Sequence, residues 1–171
     1  MRNVMQEIRH RFDYSAVISA TPQEVFNYLD DPRRIGAHMS EGSLMMLGGT
    51  MQYRLDEGRG KEVGSVIRLS GRMMGLAVHV EEVITERVPP ARKIWETVGA
   101  QRMIIIQDYR LGFEIASTAS GTELRGFIDY TLPRGVVGRL LGSLAGPFYA
   151  RWCVQRMVEG TRHNFTPRPP K

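Results

Sequence analysis

His79 and Glu81 stand two residues apart in a strand-like segment, Leu76–Val88. That spacing puts both side chains on one face, where an imidazole and a carboxylate could pass a proton between them. Leu76, Val78 and Val80 fill the opposite face, so simple alternation turns the pair toward solvent. A catalytic His79–Glu81 pair therefore needs a bulge or a two-sided strand that brings it inward. The other groups able to do chemistry are tyrosines. Tyr14, Tyr109 and Tyr130 each fall on the apolar side of a predicted strand, offering one hydroxyl on an otherwise apolar wall.

Several chemistries lack their residues. His10, His38 and His163 are dispersed, and no paired Cys/His spacing occurs, so neither a metal nor a cofactor is expected. There is no GxSxG elbow, and Gly48-Gly49 does not match a phosphate-binding loop. Cys153, the only cysteine, sits between Trp152 and Val154 as a small buried hydrophobe; the absence of any disulfide suits a reducing cytoplasm. The chain has ten methionines, among them Met45, Met46, Met51, Met73 and Met74. They fill core space or, as adaptable walls, accept varied ligands, and Met51 and Met73 are candidates for the second role.

The 171 residues are 42% hydrophobic and 24% charged, an ordinary globular composition sufficient for one sizeable core. The first residues lack the apolar stretch of a signal peptide, and no apolar run is long enough to span a bilayer. The net charge of +5 favours anionic partners, including peripheral contact with acidic lipid. The basic residues are scattered, with Arg33-Arg34 and Arg92-Lys93 the densest pairs, which argues against nucleic acid.

The elements that must position these groups follow from pattern. An alternating run, Phe12 to Ile18, breaks at Thr21-Pro22 into a short helix with Thr21 as N-cap, Pro22 at its first position and Glu24 reaching back. It stops at Asp30-Asp31-Pro32, after which Pro32 to Met39 allows a second short helix. A strand ending near Asp56 and a turn at 57–61 come next. Strands are then predicted over Ser65–Met73, Leu76–Val88, Lys93–Val98, Met103–Ser117 and Thr122–Leu132, with connections short enough for an antiparallel meander. From Gly135 to Arg162 the spacing becomes helical. Val136, Val137, Leu140, Leu141, Leu144, Phe148 and Trp152 lead to Val154, Met157 and Val158, with Pro147 expected to kink the helix. One apolar helix face needs a large surface, and a curved sheet provides it. Residues 1–8 read as a loosely tied leader, 9–165 as a single domain and 166–171 as an extended tail.

The stretch Ala20–Pro32, ATPQEVFNYLDDP, resembles the opening of the START-like superfamily, also called SRPBCC or helix-grip. Glu82–Pro90 leading into Arg92-Lys93-Ile94-Trp95, and Gly121–Leu124 opening the last strand, are similar marks. The polyketide cyclase/dehydrase-like members look most similar. The resemblance implies an α+β helix-grip fold. A curved antiparallel sheet of about seven strands, with two short helices after the first, wraps a long, Pro-kinked C-terminal helix. Periodicity by itself describes a packed core; the resemblance implies a cavity between sheet and helix. On that reading the ligand-binding candidates are Tyr14, Met51, Met73, Trp95, Tyr109, Phe113, Tyr130, Phe148 and Trp152.

Three functions fit these features. The first is binding, transport or sequestration of a hydrophobic small molecule such as a lipid, polyketide or aromatic metabolite. The second is a cyclase, aromatase or dehydratase acting on a polyketide-like substrate, which would recruit His79 or Glu81. The third is an interaction module in which the basic helix or the Arg-rich tail docks on a protein, RNA or an acidic membrane surface.

Overall fold

In the computed structural model, the described residues are 10–35, 51–73, 76–99, 103 and 105–166. The leader and residues 167–171 of the tail lie outside them, as do Met45, Met46 and Met74.

Beyond strand β1 (His10–Ile18) and two intervening residues, Thr21 opens helix α1 (Pro22–Leu29) with a reciprocal cap: the Thr21 N–H donates to Glu24 Oε2 at 2.8 Å, and the Glu24 N–H to Thr21 Oγ1 at 3.3 Å. After α2 (Pro32–Ile35) come β2 (Met51–Leu55), β3 (Val66–Met73), β4 (Leu76–Val88), β5 (Arg92–Thr97), β6 (Tyr109–Thr118), β7 (Gly121–Tyr130) and helix α3 (Val136–Phe165). All strand pairs are antiparallel, in the order β1-β7-β6-β5-β4-β3-β2, so β1 joins the far end of the meander beside β7. This is the α+β helix-grip fold, with α1 against β6 and α3 against β1 and β7.

Alternation sets the inner face much as expected. On β1, Phe12, Tyr14 and Ala16 are half-buried and Ile18 buried, while the residues between them are exposed. The strand expected from Met103 instead begins at Tyr109. Before it, Gln107 and Asp108 bond to Thr131, and Ile105 lies against the first turns of α3.

The C-terminal helix departs from its pattern. Its first half was expected to bury Val136, Val137, Leu140, Leu141, Leu144 and Phe148, yet all six are exposed, Val136 to 86% and Phe148 to 72%. The buried side carries Gly142, Gly146, Tyr149, Ala150 and Cys153. Close approach explains the reversal. A Cβ on Gly142 would sit 2.7 Å from Pro133 Cδ and 2.9 Å from the Ile105 carbonyl; one on Gly146 would sit 3.1 Å from the Tyr130 ring. Only the small-residue side can lie that near β7 and the segments flanking it. Further along, Val154, Met157 and Val158 are buried over Gly126. Pro147 sits inside α3, where its missing N–H leaves the Ser143 carbonyl without an i+4 partner.

Two polar ties hold helices to sheet. Lys93, 1% exposed on its side chain, donates from Nζ to Asp30 Oδ1 at 2.8 Å and to the Asp30 carbonyl at 2.9 Å. Arg87 grips the same carboxylate through Nε at 3.0 Å and a terminal nitrogen at 2.9 Å. Burial alone would raise the Asp30 carboxyl, but these two cations outweigh it and hold it below the ordinary range. Tyr14 donates to Glu159 Oε1 at 2.6 Å, joining β1 to α3.

Candidate active and binding site

Strand β4 carries Val78, Val80, Glu82 and Ile84 inward, so one carboxyl stands in phase with three buried apolar side chains. Glu82 is 7% exposed. Register brings its partners from distant sequence: Glu82 lies opposite Ile67 on β3 and Thr97 on β5. Across β5, the Thr97 hydroxyl accepts from the Tyr109 N–H at 3.1 Å, which places Tyr109 in the same cross-strand row. The Tyr109 hydroxyl reaches over β5 and donates to Glu82 Oε1. The Trp95 indole also hydrogen-bonds this carboxyl.

Burial dominates the electrostatics. It pushes the Glu82 carboxyl up to about 7, with the bonds from Tyr109 and Trp95 offsetting only part of the effect. The Tyr109 phenol is held well above its ordinary range by burial and by the nearby Glu82. Tyr53 is raised by the same two causes in the same order. From the helix side, Tyr149 hydrogen-bonds Cys153, and burial pushes that thiol up to about 12. Cys153 is thus a protonated, unreactive thiol near neutrality. Together, Glu82, Tyr109, Trp95, Tyr53, Tyr149 and Cys153 form a polar cluster inside an apolar frame. It can donate or accept hydrogen bonds and, through Glu82, hold or release a proton near neutral pH.

The predicted residues divide. Trp95, Tyr109 and the fully buried Phe113 share the inner wall, the Phe113 ring meeting Trp95 edge-on at 6.4 Å. Tyr130 is buried one pair further along, opposite Tyr109, and stacks on His10 at 5.3 Å. Trp152 is half-buried beside Tyr149 at 6.1 Å. Tyr14 is inward but its hydroxyl is committed to Glu159. Phe148 belongs to the outer side of α3 and does not reach the interior. Met51 and Met73 lie on β2 and β3, their side chains outside the described residues.

His79 and Glu81 face outward: His79 is exposed, and Glu81 pairs with Arg68 at 2.6 Å. The β4 bulge falls between Ile84 and Glu86, beyond both residues, so it does not turn them inward. The inward carboxylate is their neighbour Glu82, missed because the adjacent glutamates invite attention to the one paired with His79. Its signal was available, since it shares the phase of Val78 and Val80.

A half-open cleft of about 770 Å³ lies away from the Glu82 cluster, between the end of β1, α1, α2 and the last turns of α3. Arg34, Arg156, Arg162 and His163 line it with Glu159 as the carboxylate among them. Among the described residues no group of three or more His, Cys, Asp or Glu could hold a metal ion. No helix among them is long and apolar enough to cross a membrane.

Residues 9–165 match the family described as polyketide cyclase/dehydrase and lipid transport. Solved structures share the fold at low identity. Norcoclaurine synthase from Thalictrum flavum is 9% identical, with 92% of this chain and 87% of that one covered at a TM-score of 0.63. Major latex-like protein 151 from Panax ginseng is 13% identical, with 94% and 99% covered at 0.60. The di-domain ARO/CYC protein BexL of the BE-7585A biosynthetic pathway is 17% identical at 0.59; 96% of this chain matches 52% of that one. No curated protein matches in sequence.

Proposed function

Because the chain belongs to the polyketide cyclase/dehydrase and lipid transport family, we propose that it binds a hydrophobic small molecule bearing a carbonyl or hydroxyl group. The ligand lies between the sheet and α3, with Glu82 as its polar anchor. The observation that carries this reading is a single carboxyl, buried among apolar side chains and bonded to Tyr109 and Trp95. Burying an ionisable group among apolar side chains costs stability, and groups perturbed in this way cluster at functional sites. Protonated, Glu82 can donate to a carbonyl; ionised, it can accept from a hydroxyl. Trp95, Phe113, Tyr130 and Trp152 would supply the apolar contacts.

Native mass spectrometry of freshly purified protein, followed by organic extraction, tests this directly. The expected result is a retained apolar molecule with an oxygen function, lost in Glu82→Leu and weakened in Tyr109→Phe. Glu82→Leu removes a buried ionisable group, so the fold should survive it. A parent that leaves no extract and takes up no apolar fluorophore overturns the proposal, as does unchanged retention in both variants.

A second reading is favoured by the Glu82 carboxyl lying at about 7. A group with both forms populated near neutrality is suited to general acid–base work, such as enolising or dehydrating a poly-keto chain held against the sheet. Turnover of such a chain should then show a pH limb near neutrality that disappears in Glu82→Gln.

A further inference from the structure

The six exposed residues of α3 form one stripe. At 100° per residue, Val136, Val137, Leu140, Leu141, Leu144 and Phe148 fall within an arc of about 140° and extend about 18 Å along the helix. The stripe lies opposite the side that packs on the protein, which carries Gly142, Gly146, Tyr149 and Cys153. A contiguous apolar band this large on a water-facing helix marks an interaction surface. Its charge setting is one-sided. Arg134 and Arg139 flank its first turns, Arg151 follows its last, and no Asp or Glu occurs between Asp129 and Glu159. All three arginines are exposed.

We propose that this face of α3 docks on anionic lipid bilayers, with Leu140, Leu144 and Phe148 entering the headgroup–acyl boundary and Arg134, Arg139 and Arg151 contacting lipid phosphates. An apolar stripe bordered only by cations complements a negatively charged interface. The same charge pattern disfavours a second copy as the occupant, since pairing two α3 helices along the stripe would bring their arginines together with no carboxylate between them. The helix lies along the interface, held by its small-residue side to its own sheet. This surface stands apart from the Glu82 cluster, and docking does not depend on what the interior binds.

Vesicle flotation tests the proposal with the full chain, comparing pure phosphatidylcholine with phosphatidylcholine containing about 30% phosphatidylglycerol. The expected result is recovery with the anionic vesicles only, reduced by high salt. Binding should fall at least tenfold, roughly, in Leu140→Ser/Leu144→Ser and several-fold in Arg139→Gln/Arg151→Gln, the thermal transitions staying as in the parent. Equal recovery on both vesicles, none on either, or binding indifferent to both double variants overturns it. A dimer in solution that dissociates in Leu140→Ser/Leu144→Ser also overturns it, assigning the face to self-association.

Discussion

The Tyr109 hydroxyl donates to Glu82 across an intervening strand, from β6 over β5 to β4. Two strand spacings are roughly 10 Å, which a tyrosine facing a glutamate can close and shorter side chains cannot. The pair turns what would be an isolated buried carboxyl into a hydrogen-bonded proton site, and it makes the interior sensitive to pH.

Stability should fall as pH rises. The Glu82 carboxyl, at about 7 in the folded state against an ordinary 4.5, keeps its proton on folding and loses it on unfolding between those values. The folded state therefore binds more protons there, and its advantage, complete below 4.5, is lost by the time pH has passed 7. The size is about 3 kcal/mol, from 1.36 kcal/mol for each pH unit between the two values. Urea unfolding at a series of pH values should show this slope in the parent and not in Glu82→Gln. A parent curve flat through this range would mean that Glu82 stays solvated.

Removing the carboxylate that Lys93 and Arg87 share should cost far more than removing a surface ion pair. Asp30→Ala leaves Lys93 Nζ buried with only the Asp30 backbone carbonyl as a partner, a loss of about 3–5 kcal/mol. Lys93→Met in the Asp30→Ala background should recover much of it, because the uncompensated charge goes as well. A double variant no more stable than Asp30→Ala would show that the loss comes from the end of α1 and not from the buried ammonium.

Two glycines of α3 should respond in opposite senses to alanine. At Gly142 the new methyl meets Pro133 and the Ile105 carbonyl, and Gly142→Ala should destabilise by about 1–3 kcal/mol. At Gly160 a Cβ meets nothing within 4 Å, so Gly160→Ala should stabilise by about 0.5–1 kcal/mol through helix propensity. Thermal unfolding of both variants checks the packing of α3. A stabilising Gly142→Ala would mean that the helix stands further from Pro133 and Ile105 than these distances give.

Local rules read much of this protein from its residues. Alternation placed Phe12, Tyr14, Tyr109, Phe113 and Tyr130 inward, and the Thr21–Glu24 cap needs only residues three apart. Alternation also placed His79 outward, because a strand has a period of two wherever it lies. Two decisions belonged to the tertiary structure. Register alone brought Tyr109 and Trp95 to Glu82, since strand pairing joins residues whose separation in the chain carries no local signal. In the first half of α3 the choice of face went against hydrophobicity: Leu140, Leu141, Leu144 and Phe148 are held off the sheet, while glycines at 142 and 146 let the backbone approach Tyr130 and Pro133. Apolar spacing shows that a helix has a greasy side; which side meets the sheet depends on how close the backbones come, and that distance exists only in the folded molecule.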